Sequence, residues 1–181
     1  MIKDALGERL KHNYEEVSKT RLTRRMPVMI RIDGKCFHQF TRGMKKPFDD
    51  ILVETMQETM KYLCENIQGC VLGYTQSDEI TLVLQDYKEL TTDAWFNYEV
   101  QKICSIAASM ATLAFNQAFE RNYLYNIADK CGELDQHDGM RDLARKKGAM
   151  FDARCFNIPK EEVTNLLFWR QLDATRNSIQ M

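Results

Sequence analysis

Arg31-Ile32-Asp33-Gly34-Lys35-Cys36-Phe37-His38-Gln39-Phe40 and Gly73-Tyr74-Thr75-Gln76-Ser77-Asp78-Glu79 each place a carboxylate where an apolar, strand-like run ends. Val28, Ile30 and Ile32 lie on one face of the first run, and Asp33 stands just before a glycine. In the second, Cys70 to Tyr74 and Ile80 to Leu84 read as two short strands, and the Gln76-to-Glu79 stretch between them reads as a hairpin turn.

Working outward, Pro47-Phe48-Asp49-Asp50 opens a helix with Leu52, Met56, Met60, Leu63 and Ile67 spaced by three and four, and Gly69 stops it. Thr91 or Thr92 can cap a long helix running to about Phe119, with Phe96, Val100, Ile103, Ala107, Met110 and Ala114 as its buried stripe. Residues 121–150 are polar and irregular, so a loop or short-helix insertion is expected there. Phe151 to Ile158 reads as a fourth strand, and Pro159, Glu161 and Glu162 suit the first turn of a last helix. Residues 1–25 are polar and helix-compatible, and Pro27 ends them.

The order βαββαβ followed by a helix is the ferredoxin-like α+β arrangement, an antiparallel sheet with helices packed on one face. A right-handed crossover makes strands one and two parallel, with room for strand three between them. The end of strand one and the turn between strands two and three then share one edge, so Asp33 and Asp78 converge. The start of strand four, with Asp152 and Arg154, falls on that edge too.

Two carboxylates on one sheet rim are what a two-magnesium phosphoryl-transfer site needs. Asp33 could bridge two divalent ions, Gly34 could lend its carbonyl, and Asp78 could supply the second carboxylate. Each aspartate has a plainer alternative as an ordinary turn residue. Lys35, Lys45 and Lys46 could contact triphosphate oxygens or line a solvated loop. His38 could stack on a base, contact a phosphate, or pack as a structural histidine. Asp152 and Arg154 could point into the site or pair on the sheet face.

The chain has 181 residues, 44% of them apolar and 28% charged, with a net charge of −1, which fits one globular domain without a global basic field. Nucleic-acid affinity would rest on local clusters: Lys19/Arg21/Arg24/Arg25, Arg42/Lys45/Lys46 and Arg141/Arg145/Lys146/Lys147, each alternatively a solvated surface. Six scattered cysteines without a C-x-x-C favour a reducing compartment, the cytoplasm, over disulfides or structural zinc, and Cys131 with His137 is not expected to bind zinc. No signal peptide or membrane span is read. No Walker A loop, G-x-G-x-x-G run, G-x-S-x-G elbow or nucleophilic triad is present.

Arg31 to Phe40 resembles the R-(L/I)-D-G-x-x-F-H-x-F block of the tRNA-histidine guanylyltransferase superfamily. Lys46-Pro47 matches its K-P step, Tyr74 to Glu79 its Y-x-Q-S-D-E block, Phe151-Asp152-Ala153-Arg154 its F-D-x-R block, and Trp169 to Asp173 its W-R-Q-x-D segment. These five blocks span residues 31–177 in the right order. The pattern is closer to the guanylyltransferase-like proteins of bacteria and archaea. Eukaryotic members carry H-I-N-N after W-R-Q-A-D-C, where this chain has Thr175-Arg176-Asn177-Ser178. That departure points to the template-dependent branch, which rebuilds 5′-truncated tRNAs.

The resemblance implies a polymerase-palm-type fold and an enzyme, a transferase that adds nucleotides to the 5′ end of tRNA in the 3′-to-5′ direction. A 5′-monophosphate is first activated by ATP or GTP, and the 3′-hydroxyl of the incoming nucleotide then attacks it. The implied cofactor is a pair of Mg2+ ions on Asp33, Gly34 and Asp78. The implied nucleotide contacts are Asp33, Gly34, Lys35, Cys36, Phe37, His38, Ser77 and Asp78, with Lys46 and Asn177 on the triphosphate. The implied partners are tRNA and nucleoside triphosphates, in a homotetramer. Members run on beyond the W-R-Q-x-D helix, so residues 1–181 are read as a single catalytic domain without that extension. The competing expectations are a nucleotide-cyclase-like palm enzyme acting on free nucleotides, and a non-catalytic RNA-binding module. The absence of an R-G-(F/Y)-(G/A)-F strand counts against the module.

Overall fold

The computed structural model describes residues 4–129, 144 and 146–180. The elements are α1 (Ala5–Leu10), β1 (Val28–Gly34), α2 (Phe37–Phe40), α3 (Asp50–Asn66), β2 (Cys70–Gln76), β3 (Glu79–Leu84), α4 (Val100–Asp129), β4 (Phe151–Asn157) and α5 (Val163–Gln180). The four strands form one sheet in the order β2-β3-β1-β4, antiparallel throughout. β1 and β2 both run against β3 and are therefore parallel to one another, with β3 between them, as the crossover rule requires.

Alternation along the strands gives the sheet two unlike faces. Val28, Ile30 and Ile32 of β1 and Ile80, Leu82 and Leu84 of β3 are fully buried in the core. α3 and α4 pack on this side, against the sheet and each other. Asp49 starts α3, accepting from the N–H groups of Ile51 and Leu52 at 3.2 and 3.3 Å and from Lys45 N–H at 3.1 Å. Beside the apolar positions read from spacing, α3 buries Thr55 and Thr59, whose hydroxyls return to the carbonyls of Ile51 and Thr55 at 2.6 and 2.7 Å. At Gly73 the α3 side chains of Met60 and Cys64 come so close that a Cβ would lie 2.5 Å from the Cys64 sulfur.

The long helix does not begin at Thr91 or Thr92, and Phe96 is not on it. α4 starts at Val100 and continues past Phe119 to Asp129. The delay has a tertiary cause. Asp86 accepts from Arg24 Nε at 2.6 Å and from the Arg25 backbone N–H at 2.9 Å. The Arg25 guanidinium takes the carbonyls of Glu89 and Leu90, and that of Arg24 takes the Thr92 carbonyl. Phe96, Asn97 and Tyr98 then have φ of 48, 49 and 54°, a left-handed turn that cannot propagate a right-handed helix. Arg24 and Arg25 are thus engaged in stitching residues 86–100 to the N-terminal segment. The buried stripe is Ile103, Ala107, Ala111, Ala114, Phe115, Ala118 and Phe119, while Val100 and Met110 are half-buried.

No helix among the described residues is long and apolar enough to cross a membrane. Cys104 and Cys155 are free thiols with their sulfurs 3.7 Å apart between α4 and β4, and burial pushes the Cys155 thiol up to about 12. Cys131 and His137, together with Arg141 and Arg145, lie outside the described residues.

Candidate active site

The second face of the sheet carries the polar chemistry. Asp33 stands in register with Glu79 of β3 on one side and Asp152 of β4 on the other, so three carboxylates share one row at the end of the sheet. Asp78 lies in the two-residue turn between β2 and β3, where Ser77 has φ +49°. The Gly34 N–H donates to the Asp78 carbonyl at 3.1 Å, which ties the end of β1 to that turn. Asp33 and Asp78, 45 positions apart in the chain, are brought together.

Gly34 is required here for a local reason. A Cβ on it would collide with the Phe37 ring, which folds back beneath it. Phe37 is 4% exposed, with ring centroids 5.1, 5.4 and 5.2 Å from Phe40, Phe115 and Phe151. The D-G-x-x-F spacing is therefore a carboxylate, a backbone that must stay bare, and an aromatic anchor. The Phe37 side chain belongs to the core, so only its backbone faces the loop. Cys36 has φ +55° and starts the short helix α2.

Lys35 donates its backbone N–H to the Met150 carbonyl at 2.8 Å, leaving its exposed ammonium as the group that can meet a phosphate. His38 and Lys46 are exposed, so His38 is not a packed core histidine. The Ser77 hydroxyl donates to Asp78 Oδ1 at 3.1 Å. Arg154 pairs with Asp152 at 3.1 Å on the exposed sheet face. Asn177 is exposed on α5, two turns beyond Arg170 on the same side of the helix, and no contact joins it to Asp33 or Asp78.

The residues that spacing alone left without a role are Glu79, Arg170 and Arg31. Glu79 is 5% exposed. Arg170 donates from Nε to its Oε1 and from Nη2 to its Oε2, both at 2.7 Å, a bidentate fork. Arg31 Nε lies 3.5 Å from Glu79 Oε2 and Asp173 lies 3.2 Å from Arg170 Nη2, while the Arg170 guanidinium sits 4.7 Å from the Trp169 ring centroid. This fork docks α5 on the face opposite α3 and α4. Both partners stand inside blocks the sequence displays, but nothing in the spacing of residues 79 and 170 pairs them.

Burial raises the Asp78 carboxyl above the ordinary carboxylate range, and the charges of Asp33 and Glu79 push the same way, against hydrogen bonds from its own backbone N–H and from Ser77. Two converging carboxylates with no cationic side chain paired to them among the described residues fit a divalent ion. Among the described residues no group of three His, Cys, Asp or Glu side chains forms a metal cluster. A pair of carboxylates plus a backbone carbonyl suits magnesium, which keeps positions for water and phosphate oxygens.

A raised native pKa means that the folded chain holds more protons than the unfolded chain between the ordinary aspartate value of about 3.9 and the raised value. Stability therefore falls as pH rises through that window. Asp78→Asn is expected to melt at a higher temperature than the parent at neutral pH in metal-free buffer, with the advantage shrinking below that window. Equal melting temperatures at neutral pH would show that the Asp78 charge is not held at a cost.

The fold is a palm-like antiparallel sheet with a rim of carboxylates at one end. A family profile described as Thg1, tRNAHis guanylyltransferase, matches residues 7–159, and the chain belongs to that family. It is 31% identical over 196 residues to an uncharacterized protein of Acanthamoeba polyphaga mimivirus, covering 99% of this chain and 62% of that protein. It is 28% identical over 155 residues to a probable tRNA(His) guanylyltransferase of Dictyostelium discoideum, covering 84% of this chain and 52% of that protein. The chain thus spans about half to three-fifths of these curated relatives. A solved bacterial tRNA(His) guanylyltransferase (Thg1)-like protein in complex with ATP superposes with a TM-score of 0.81 at 43% identity, over 98% of this chain and 68% of that one. A bacterial Thg1-like protein in complex with GTP gives 0.81 at 42%, over 98% of this chain and 70% of that one. The tRNA(His) guanylyltransferase of Saccharomyces cerevisiae shares the fold, with a TM-score of 0.65 at 21% identity over 90% of this chain and 65% of that one.

Proposed function

We propose that this chain is the catalytic palm of a magnesium-dependent nucleotidyltransferase that adds nucleotides to the 5′ end of tRNA in the 3′-to-5′ direction, repairing 5′-truncated tRNA against a template. The observation that carries this is the hydrogen bond from Gly34 N–H to the Asp78 carbonyl, which fixes Asp33 and Asp78 on one rim.

Asp33, Asp78 and the Gly34 carbonyl would hold two magnesium ions. When bound, such ions neutralise phosphate charge and make an attacking hydroxyl more acidic. Ser77 orients Asp78 through its hydroxyl. The exposed ammonium groups of Lys35 and Lys46 meet triphosphate oxygens as point charges. Cys36 and His38 lie in the loop beside them, and Asn177, exposed on α5, would contact the triphosphate from that helix. The same rim serves both displacements: activation of the 5′-monophosphate by ATP or GTP with release of pyrophosphate, then attack by the 3′-hydroxyl of the incoming nucleotide with release of AMP or GMP. None of these groups reads a base, so base pairing with the opposing strand chooses the nucleotide. A homotetramer in the cytoplasm belongs to the same proposal.

The test is incubation with magnesium, labelled nucleotides and 5′-truncated tRNAs that differ in the templating base. The incorporated nucleotide is expected to follow that base, on tRNAs other than tRNA-histidine as well. Guanosine inserted whatever the template, and only on tRNA-histidine, would place the chain with the dedicated guanylyltransferases. Cyclic products made without RNA would favour the cyclase-like alternative.

A further inference from the structure

Beyond Asp33 and Asp78, two more carboxylates stand at this end of the sheet: Asp152, paired with Arg154 on the exposed face, and Glu79. Glu79 follows Asp78 in the chain and faces Asp33 across the β1–β3 ladder, where opposed Cβ atoms stand about 4.5–5.5 Å apart. It is nevertheless occupied on both oxygens by the Arg170 fork at 2.7 Å. Arg31 Nε, at 3.5 Å, is too far to hydrogen-bond and has no other hydrogen-bond partner among the described residues. Arg170 arrives from α5, 91 residues later in the chain.

We infer that Arg170 is a positioning residue that holds Glu79 off the metal-binding rim, so that only Asp33, Asp78 and a backbone carbonyl face the cation. The chemistry gives this a purpose. Magnesium in phosphoryl-transfer sites is bound by one or two carboxylates and otherwise by substrate phosphates and water. A third carboxylate from Glu79 would tighten the bare metal and occupy a position a triphosphate oxygen needs. The docking of α5 and the phosphate capacity of the site are thereby linked through one side chain. This inference rests on the metal reading proposed above.

The test uses Mn2+ alone as probe, with the free ion counted by its electron paramagnetic resonance signal, beside the kinetics of nucleotide addition. Arg170→Met keeps the packed stem and removes the fork. It is expected to bind Mn2+ at least threefold more tightly without nucleotide, while KM for the triphosphate rises at least fivefold with a smaller change in kcat. Adding Glu79→Gln to Arg170→Met should return both values to within twofold of the parent. Unchanged or weaker Mn2+ binding in Arg170→Met overturns the inference, because a purely structural anchor would loosen the site. Tightening that Glu79→Gln fails to reverse overturns it too, since another ligand is then responsible. Should Arg170→Met not fold, Arg170→Lys satisfies one Glu79 oxygen and must move Mn2+ affinity the same way by a smaller factor. Asp78→Ala separates the two levels. If it leaves Mn2+ affinity unchanged, the metal site itself is misassigned. If it abolishes binding while the Arg170 variants behave like the parent, only the positioning role fails.

Discussion

Asp33→Ala and Asp78→Ala, made separately, are each expected to reduce 5′ nucleotide addition by about a thousandfold, corresponding to roughly 4 kcal/mol of lost transition-state stabilisation. Both side chains sit at the open end of the sheet, outside the apolar core, and neither anchors a strand. The Gly34 N–H bond goes to the Asp78 backbone carbonyl, so truncating the Asp78 side chain leaves the β1–turn tie in place. Circular dichroism and melting should therefore match or exceed the parent while activity disappears. Either variant turning over near the parental rate would refute the two-carboxylate assignment. A large fall in melting temperature would instead mark the residue as structural.

Phe37→Ala should have the largest effect on stability among the residues of the D-G-x-x-F segment. Phe37 fills the space between Gly34, Phe40, Phe115 and Phe151. Truncating a buried phenylalanine costs about 3–5 kcal/mol, because the cavity collapses only in part. At about 2–4 °C per kcal/mol for a domain of this size, the melting temperature should fall by roughly 6–20 °C. Phe37→Leu should lose distinctly less. A change under about 1 kcal/mol for the alanine variant, typical of surface positions, would mean that the ring is not the support beneath the loop.

Strand alternation at Val28, Ile30 and Ile32 and the hairpin around Ser77 and Asp78 were legible because a strand buried on one face must repeat with period two. The α3 helix was legible from its spacing, although Thr55 and Thr59 escaped notice, since each is a polar residue type that is buried here by returning its hydroxyl to the helix backbone. The start of α4 was not legible. Residues 91–99 have an acceptable helical pattern in isolation, and only the capture of their neighbours by Arg24 and Arg25, with left-handed backbone at Phe96, Asn97 and Tyr98, forbids it. Those arginines were also a reasonable nucleic-acid patch until Asp86 and the carbonyls of the 89–92 loop claimed them. For Phe37, a side chain that meets a nucleotide and one that fills the core are the same residue type in the sequence; its ring lies in the aromatic cluster, which leaves its backbone facing the loop.

By itself the sequence determined the strand order, the convergence of Asp33 with Asp78 and the family blocks, because each follows from periodicity, chain connectivity or a run of adjacent residues. Only the tertiary structure decided where α5 docks, that Glu79 and Arg170 form a buried bidentate pair across 91 residues, and that Asp78 holds its charge at a cost. Those depend on distances through space and on the withdrawal of water from charged groups, which no local pattern of residues encodes.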